Sequence, residues 1–160
     1  MTPDQRPAAL LLWYDDIDSL GLETAQGLML TNAFYWDAND ETREFSERFY
    51  ERTGRMPNMA QAGNYSSTMH YLNAVEAAGS DDPDAVSEKM RELEINDFFA
   101  KGGYIRPNGR MVHDQYLWEV KAPDESEYDY DYLRLVTTIP GEEAFQPLEE
   151  SSCHLLDNDE

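Results

Sequence analysis

Cysteine is almost absent: Cys153 stands alone near the end of the chain. No intrachain disulfide can form, and a lone thiol leaves the redox compartment open. Long apolar runs are missing too, and none approaches the roughly 20 residues of a membrane-spanning helix. The opening run, residues 8–14 (Ala-Ala-Leu-Leu-Leu-Trp-Tyr), stops at Asp15-Asp16. It has neither the charged flank nor the small-residue cleavage site of an export signal. Basic residues are scarce, 12 against 33 acids, for a formal net charge of −21. A field of that sign repels nucleic acid and anionic membranes, so neither is an expected partner. Only three histidines occur, His70, His113 and His154. They are far apart and none has metal-ligand spacing. There is no GxSxG, no GxGxxG and no phosphate loop, and no stretch assembles nucleophile, base and oxyanion donors. No enzymatic activity, cofactor or metal is expected.

What is present is a globular composition. Hydrophobic residues make up 41%, with ten Tyr, six Phe and three Trp, enough for a core despite the charge. The acids are spread through every segment, which suits either a surface tuned to high salt or an ordinary acidic protein. Residues 8–14 read as a strand buried on both faces, ending at Asp15-Asp16. In open α/β sheets ligands collect at such carboxyl ends, which singles out Asp15 and Asp16, although either suits a cap on the following turn equally well. Residues 22–27 suit a short helix, and 28–35 a second strand. Asn39 or Asp40 caps a helix that Gly54 ends. Pro57-Asn58 opens the longest helix, running to about Ala78, on which Tyr65, Met69, Leu72 and Val75 share one face. Asp82-Pro83 starts a third helix. Pro107-Asn108-Gly109 is a hairpin turn between strands at 104–105 and 111–120, and Leu133, Leu135 and Thr137 mark a last strand. The tail after Pro147 reads as polar and loose. Three successive helices with no strand between them ask for a sheet that this stretch does not supply.

Several segments, taken in order, resemble the C-terminal portion of ABC-importer solute-binding proteins of the branched-chain amino acid, leucine-binding-protein-like family. They are Ser19-Leu-Gly-Leu-Glu-Thr-Ala-Gln-Gly-Leu-Met-Leu-Thr31, Ala33-Phe-Tyr-Trp-Asp37, Gln61-Ala-Gly-Asn-Tyr65, Tyr71-Leu-Asn-Ala-Val-Glu-Ala-Ala-Gly79, Tyr116-Leu-Trp-Glu-Val-Lys121 and Leu135-Val-Thr-Thr-Ile-Pro140. The resemblance covers roughly residues 8–156. It implies an α/β chain with a partial type I periplasmic-binding-protein fold, an incomplete two-lobe α/β sandwich whose N-terminal lobe is missing. On that reading residues 8–34 end lobe II, 35–37 are a hinge crossing, 38–106 are lobe I helices, 107–147 return to lobe II, and 148–160 are tail. The implied ligand contacts are Tyr14, Asp15 and Asp16, with Met59, Ala60, Gln61 and Tyr65 from the start of the long helix, where an anionic group is favoured. Met59 and Tyr65 suit packing equally well, and Tyr35 and Trp36 suit either hinge packing or the cleft wall. The implied partners are a small-molecule ligand (an amino acid, amide or small aromatic acid) and an ABC permease. The implied place for the full-length relative is periplasmic or extracellular. A ligand-sensing regulatory domain of the same fold is the alternative.

Overall fold

The computed structural model describes residues 6–156, so residues 157–160 of the expected tail lie outside the described residues. In chain order the elements are β1 (Ala8–Ala9), α1 (Tyr14–Leu20), α2 (Leu22–Ala25), β2 (Met29–Asn32), α3 (Asp40–Thr53), α4 (Met59–Ala78), α5 (Pro83–Glu92), β3 (Tyr104–Ile105), β4 (Met111–Val112), β5 (Gln115–Val120), β6 (Leu133–Ile139) and α6 (Gly141–Ala144). Short 3-10 turns follow at Pro123–Glu125, Leu148–Glu150 and His154–Leu156. The chain divides into two compact units. The first takes the chain up to Ala62 together with Gln115–Ile139; the second takes Gly63–Asp114 and the chain from Pro140 onward. Tyr35–Asp37, expected as a hinge crossing, falls inside the first unit.

The first unit is built on a four-stranded sheet of order β1-β2-β5-β6, parallel between β1 and β2 and antiparallel elsewhere. Leu30 pairs with Trp118, and Val120 with Leu133, so four apolar side chains share a buried face. Each such burial contributes about 1.5–3 kcal/mol relative to exposure. Helix α3 starts as expected: Asn39 Oδ1 accepts from Thr42 N while Thr42 Oγ1 accepts from Asn39 N, both at 3.0 Å. It ends at Gly54, whose φ of 73° only glycine adopts without strain.

The second unit holds most of α4, then α5, the β3–β4 hairpin and α6. Asp82 Oδ1 caps α5 by accepting from Asp84 N and Ala85 N, with Pro83 at the first helical position. Buried Arg106 donates to Glu142 Oε2 at 2.7 Å and to the Gln146 carbonyl at 2.8 Å, fixing the segment after α6. A Cβ on Gly141 would stand 2.9 Å from the His113 carbonyl, so that approach requires glycine.

Three expected strands are corrected. Residues 8–14 do not form one buried strand: β1 ends at Ala9, Leu10 and Leu11 are 99% and 72% exposed, and Tyr14 begins a helix. The reason is local. Asp16 Oδ2 accepts from Trp13 N at 2.9 Å and two acids sit in the first turn, both favourable at a helix N-terminus. The strand expected over 28–35 stops at Asn32, whose Oδ1 accepts from Phe34 N and turns the chain. The strand expected over 111–120 is two strands in two sheets, parted at His113-Asp114. On α4 the side turned inward carries Ala62, Ser66, His70 and Ala74, while Tyr65, Met69 and Leu72 are 43%, 38% and 50% exposed. In the segment expected to be loose, Ser151 Oγ accepts from Asn108 Nδ2 at 3.2 Å.

Candidate functional site

The first turn of α1 and the entry to α4 meet within the first unit. Asn58 joins them. Its Oδ1 accepts from Ala60 N at 3.0 Å and Gln61 N at 3.2 Å, and Gln61 Oε1 accepts from Asn58 N at 2.9 Å. This is a reciprocal capping box, the Asn-x-x-Gln version of the helix-start signature. The Asn58 amide then has a hydrogen to spare, and Nδ2 donates to Asp15 Oδ2 at 3.0 Å. The other carboxylate oxygen, Asp15 Oδ1, is buried and meets no donor among the described residues. A buried carboxylate oxygen without a donor is costly, and a cation or N–H donor brought to it is correspondingly favoured.

Beside this pair the Tyr14 hydroxyl donates to the Met56 carbonyl. Burial, reinforced by the charge of Asp15, pushes the Tyr14 phenol well above its ordinary range, so it stays a neutral donor. Ala33 N donates to the Met59 sulfur at 3.2 Å, holding that thioether against the end of β2. Behind Tyr14, Asn58 and Met59 the remaining space is about 10 Å³, bordered also by Asn32, Tyr35 and Trp36. That is room for no more than one water, so the wall is pre-formed and filled from behind.

The expected residues therefore separate. Tyr14, Asp15, Met59 and Gln61 are brought together, with Ala60 contributing its backbone N–H to the cap. Asp16 faces its own helix start at Trp13 N. Tyr65 lies in the second unit, its ring 5.8 Å from that of Phe98. Of the two readings of Tyr35 and Trp36, the contacts are those of packing. Both are buried; Tyr35 Oη donates to the Tyr130 carbonyl at 2.7 Å and accepts from Tyr132 N at 2.9 Å, and Trp36 Nε1 donates to the same carbonyl at 3.0 Å. Burial raises the Tyr35 phenol as well.

The start of α4 is less open to an anion than its dipole alone suggests, because Asn58 already occupies the donors of Ala60 and Gln61. Asn58 itself was not among the expected contacts, although Asn58 and Gln61 before an apolar helix carry the capping signature. The role of Asn32 at the wall had no such signal. Among the described residues no group of three or more His, Cys, Asp or Glu could hold a metal, and no helix is long and apolar enough to cross a membrane.

The family model described as periplasmic binding protein matches residues 2–126. Among solved structures, a periplasmic binding protein from Burkholderia mallei is 48% identical with a TM-score of 0.90, over 92% of this chain and 39% of that one. A branched chain amino acid ABC transporter periplasmic ligand-binding protein from Burkholderia xenovorans is 40% identical, also with a TM-score of 0.90, over 96% of this chain and 41% of that one. A leucine binding protein from Thermotoga maritima is 25% identical with a TM-score of 0.61, over 79% of this chain and 34% of that one. The chain thus spans about two fifths of the length of the two more similar structures. No curated protein matches the sequence.

Proposed function

This chain belongs to the periplasmic binding protein family, and from that premise we propose that it forms part of a solute-binding protein that captures a small ligand for an ABC permease. The ligand class is an amino acid, amide or small aromatic acid, and the place of action is the periplasm or the outer face of the cell. Capture works by lobe closure on the ligand, with no bond made or broken. The single observation that carries this reading is Asp15. Its Oδ1 is buried without a donor beside a neutral phenol and a thioether, while Asn58 holds the other oxygen. An α-ammonium group carries the N–H donors and positive charge this oxygen lacks, and it reaches the oxygen when the first turn of α1 opens toward the ligand as the lobes close. The Met59 and Tyr14 side chains offer the apolar flank that small-ligand sites use.

Because the chain spans about two fifths of its similar structures, the test uses a chimera in which it replaces the matching segment of the Burkholderia mallei relative. Thermal shift of the chimera against L-leucine, L-phenylalanine, L-glutamine and benzoate is expected to show stabilisation by at least one amino acid. A chimera that folds and is stabilised by none of the four would sink the proposal. Stabilisation by benzoate alone would move the ligand to the aromatic acids and remove the assigned role of Asp15.

A further inference from the structure

Strand β6 pairs with β5 through one residue too many. Leu117 faces Thr137 and Trp118 faces Leu135, so Val136 is the extra residue of a β-bulge. Bulges re-aim the side chains beside them, and Leu135 and Val136, though adjacent, are 48% and 47% exposed. Next to the bulge the first unit holds a hollow of about 290 Å³. Its floor is the sheet face that carries Tyr116, Trp118, Leu133 and Leu135. Its rim is residues 37–39 together with the β5–β6 loop.

The charged rim is already matched. Asp37 accepts from Arg43 Nη1 at 2.7 Å and from the Tyr128 hydroxyl. Asp131 accepts from Lys121 Nζ at 2.5 Å and from Glu127 N at 3.1 Å. The floor is not matched. Trp118 is 3% exposed, and its Nε1–H is buried with no acceptor among the described residues. The indole is held in place by Tyr35 and Tyr116, with ring centroids 5.4 and 5.8 Å away. A buried indole N–H ordinarily finds a partner, and an acceptor brought to an unmet one is correspondingly favoured.

We propose that this hollow is a second small-molecule site, taking a neutral, ring-sized compound whose carbonyl oxygen accepts from Trp118 Nε1. Size selects one ring with one substituent, since 290 Å³ is at the lower end for small-ligand sites. The aromatic and leucine walls select an apolar ring. Charge selects neutrality: an anion would meet Asp37 and Asp131 in a chain of net charge −21. A simple cation would compete with Arg43 and Lys121 for those carboxylates and bring Trp118 no acceptor. The hollow includes none of Tyr14, Asp15, Asn58, Met59 and Gln61, so the proposal is independent of the ligand reading above.

The test titrates the ¹⁵N-labelled chain with benzamide, which has ring and carbonyl, and with toluene, which has the ring alone. The indole signal of Trp118 and the backbone amide signals of Leu133 and Leu135 are followed by NMR. Benzamide is expected to move all of them, with a dissociation constant on the order of 1 mM, ordinary for so few atoms. Toluene is expected to bind about fivefold more weakly or worse, a gap that one hydrogen bond accounts for. Trp118→Phe keeps a ring, loses the donor and is expected to erase the gap. Signals that stay in place up to roughly 20 mM benzamide, or movement confined to other residues, would overturn the proposal. Equal binding of the two compounds by the wild type overturns it too, because the indole is then not the anchor. If Trp118→Phe does not fold, Leu135→Trp decides: it adds bulk at the mouth from a half-exposed position. That variant is expected to weaken benzamide at least tenfold, and unchanged affinity overturns the site.

Discussion

Asn58 is the residue whose loss is felt in two helices at once. Its Oδ1 caps α4 and its Nδ2 holds Asp15 at the start of α1. Asn58→Ala removes the cap, worth about 1 kcal/mol, and leaves the buried Asp15 carboxylate with a second oxygen unmet, worth roughly 1–3 kcal/mol more. A urea melt is expected to show a loss of about 2 kcal/mol or more; a loss below about 0.5 kcal/mol would show that the junction is not holding the two helices. Tyr35→Phe has a similar logic, since one hydroxyl serves the Tyr130 carbonyl and Tyr132 N. Its expected cost is about 1–3 kcal/mol, measured the same way. His113 supplies the pH dependence. Its ring lies 5.5 Å from that of Phe99 and 5.2 Å from that of Phe145, and burial holds its pKa below the usual 6.5 even though Nδ1 donates to the Asp114 carbonyl. The folded state therefore prefers neutral imidazole. The stability this contributes is present above about pH 6.5 and is lost as the pH falls through the lowered folded value. Between about pH 7.5 and 5.5 the wild type is expected to lose more melting temperature than His113→Phe, and equal losses would contradict the assignment.

At the scale of elements, the outward side of α4 makes a separate prediction for the chain on its own. Met69→Lys and Leu72→Lys replace side chains that are 38% and 50% exposed, so each is expected to change stability by no more than about 0.5 kcal/mol in a denaturant melt. A loss of 2 kcal/mol or more would mean the stripe is buried within the chain. The same helix shows where sequence reading succeeds and where it stops. Its start was legible because Pro57-Asn58 is a local signal, as were Asn39, Gly54, Asp82-Pro83 and the Pro107-Asn108-Gly109 turn, where Gly109 has φ 79°. Caps and tight turns are decided by a few neighbouring atoms. Which side of α4 faces inward is decided by contacts with distant segments, and periodicity gives the stripe without its direction. Residues 8–14 failed for a related reason: apolar composition suggested a buried strand, but Asp16 closing on Trp13 N committed Tyr14 onward to a helix. The site was half legible. Tyr14, Met59 and Gln61 came from the resemblance and Asp15 from both the resemblance and the expected strand end, whereas the link between Asp15 and Asn58 spans 43 positions and leaves no mark in either local sequence.

Across the whole molecule, a formal charge of −21 over 160 residues makes self-repulsion a general term opposing the compact state. Added salt screens it within a Debye length of about 3 Å at 1 M. In about 2 M KCl the melting temperature is expected to rise by at least about 2–4 °C, the equivalent of roughly 1 kcal/mol for a chain of this size. A flat salt response would remove the high-salt reading of the acidic surface. Function at this scale turns on whether a chain that aligns with 39% and 41% of its similar structures carries a working half of their ligand site. The most direct measurement is calorimetric titration of the chimera with whichever amino acid stabilises it most, compared with the same chimera carrying Asp15→Asn. Removing the charge while keeping the shape is expected to weaken binding at least tenfold, about 1.4 kcal/mol, with the melting temperature of the free chimera held within a few degrees. Equal affinities for the two proteins would contradict the assignment of Asp15 as the ligand's anchor.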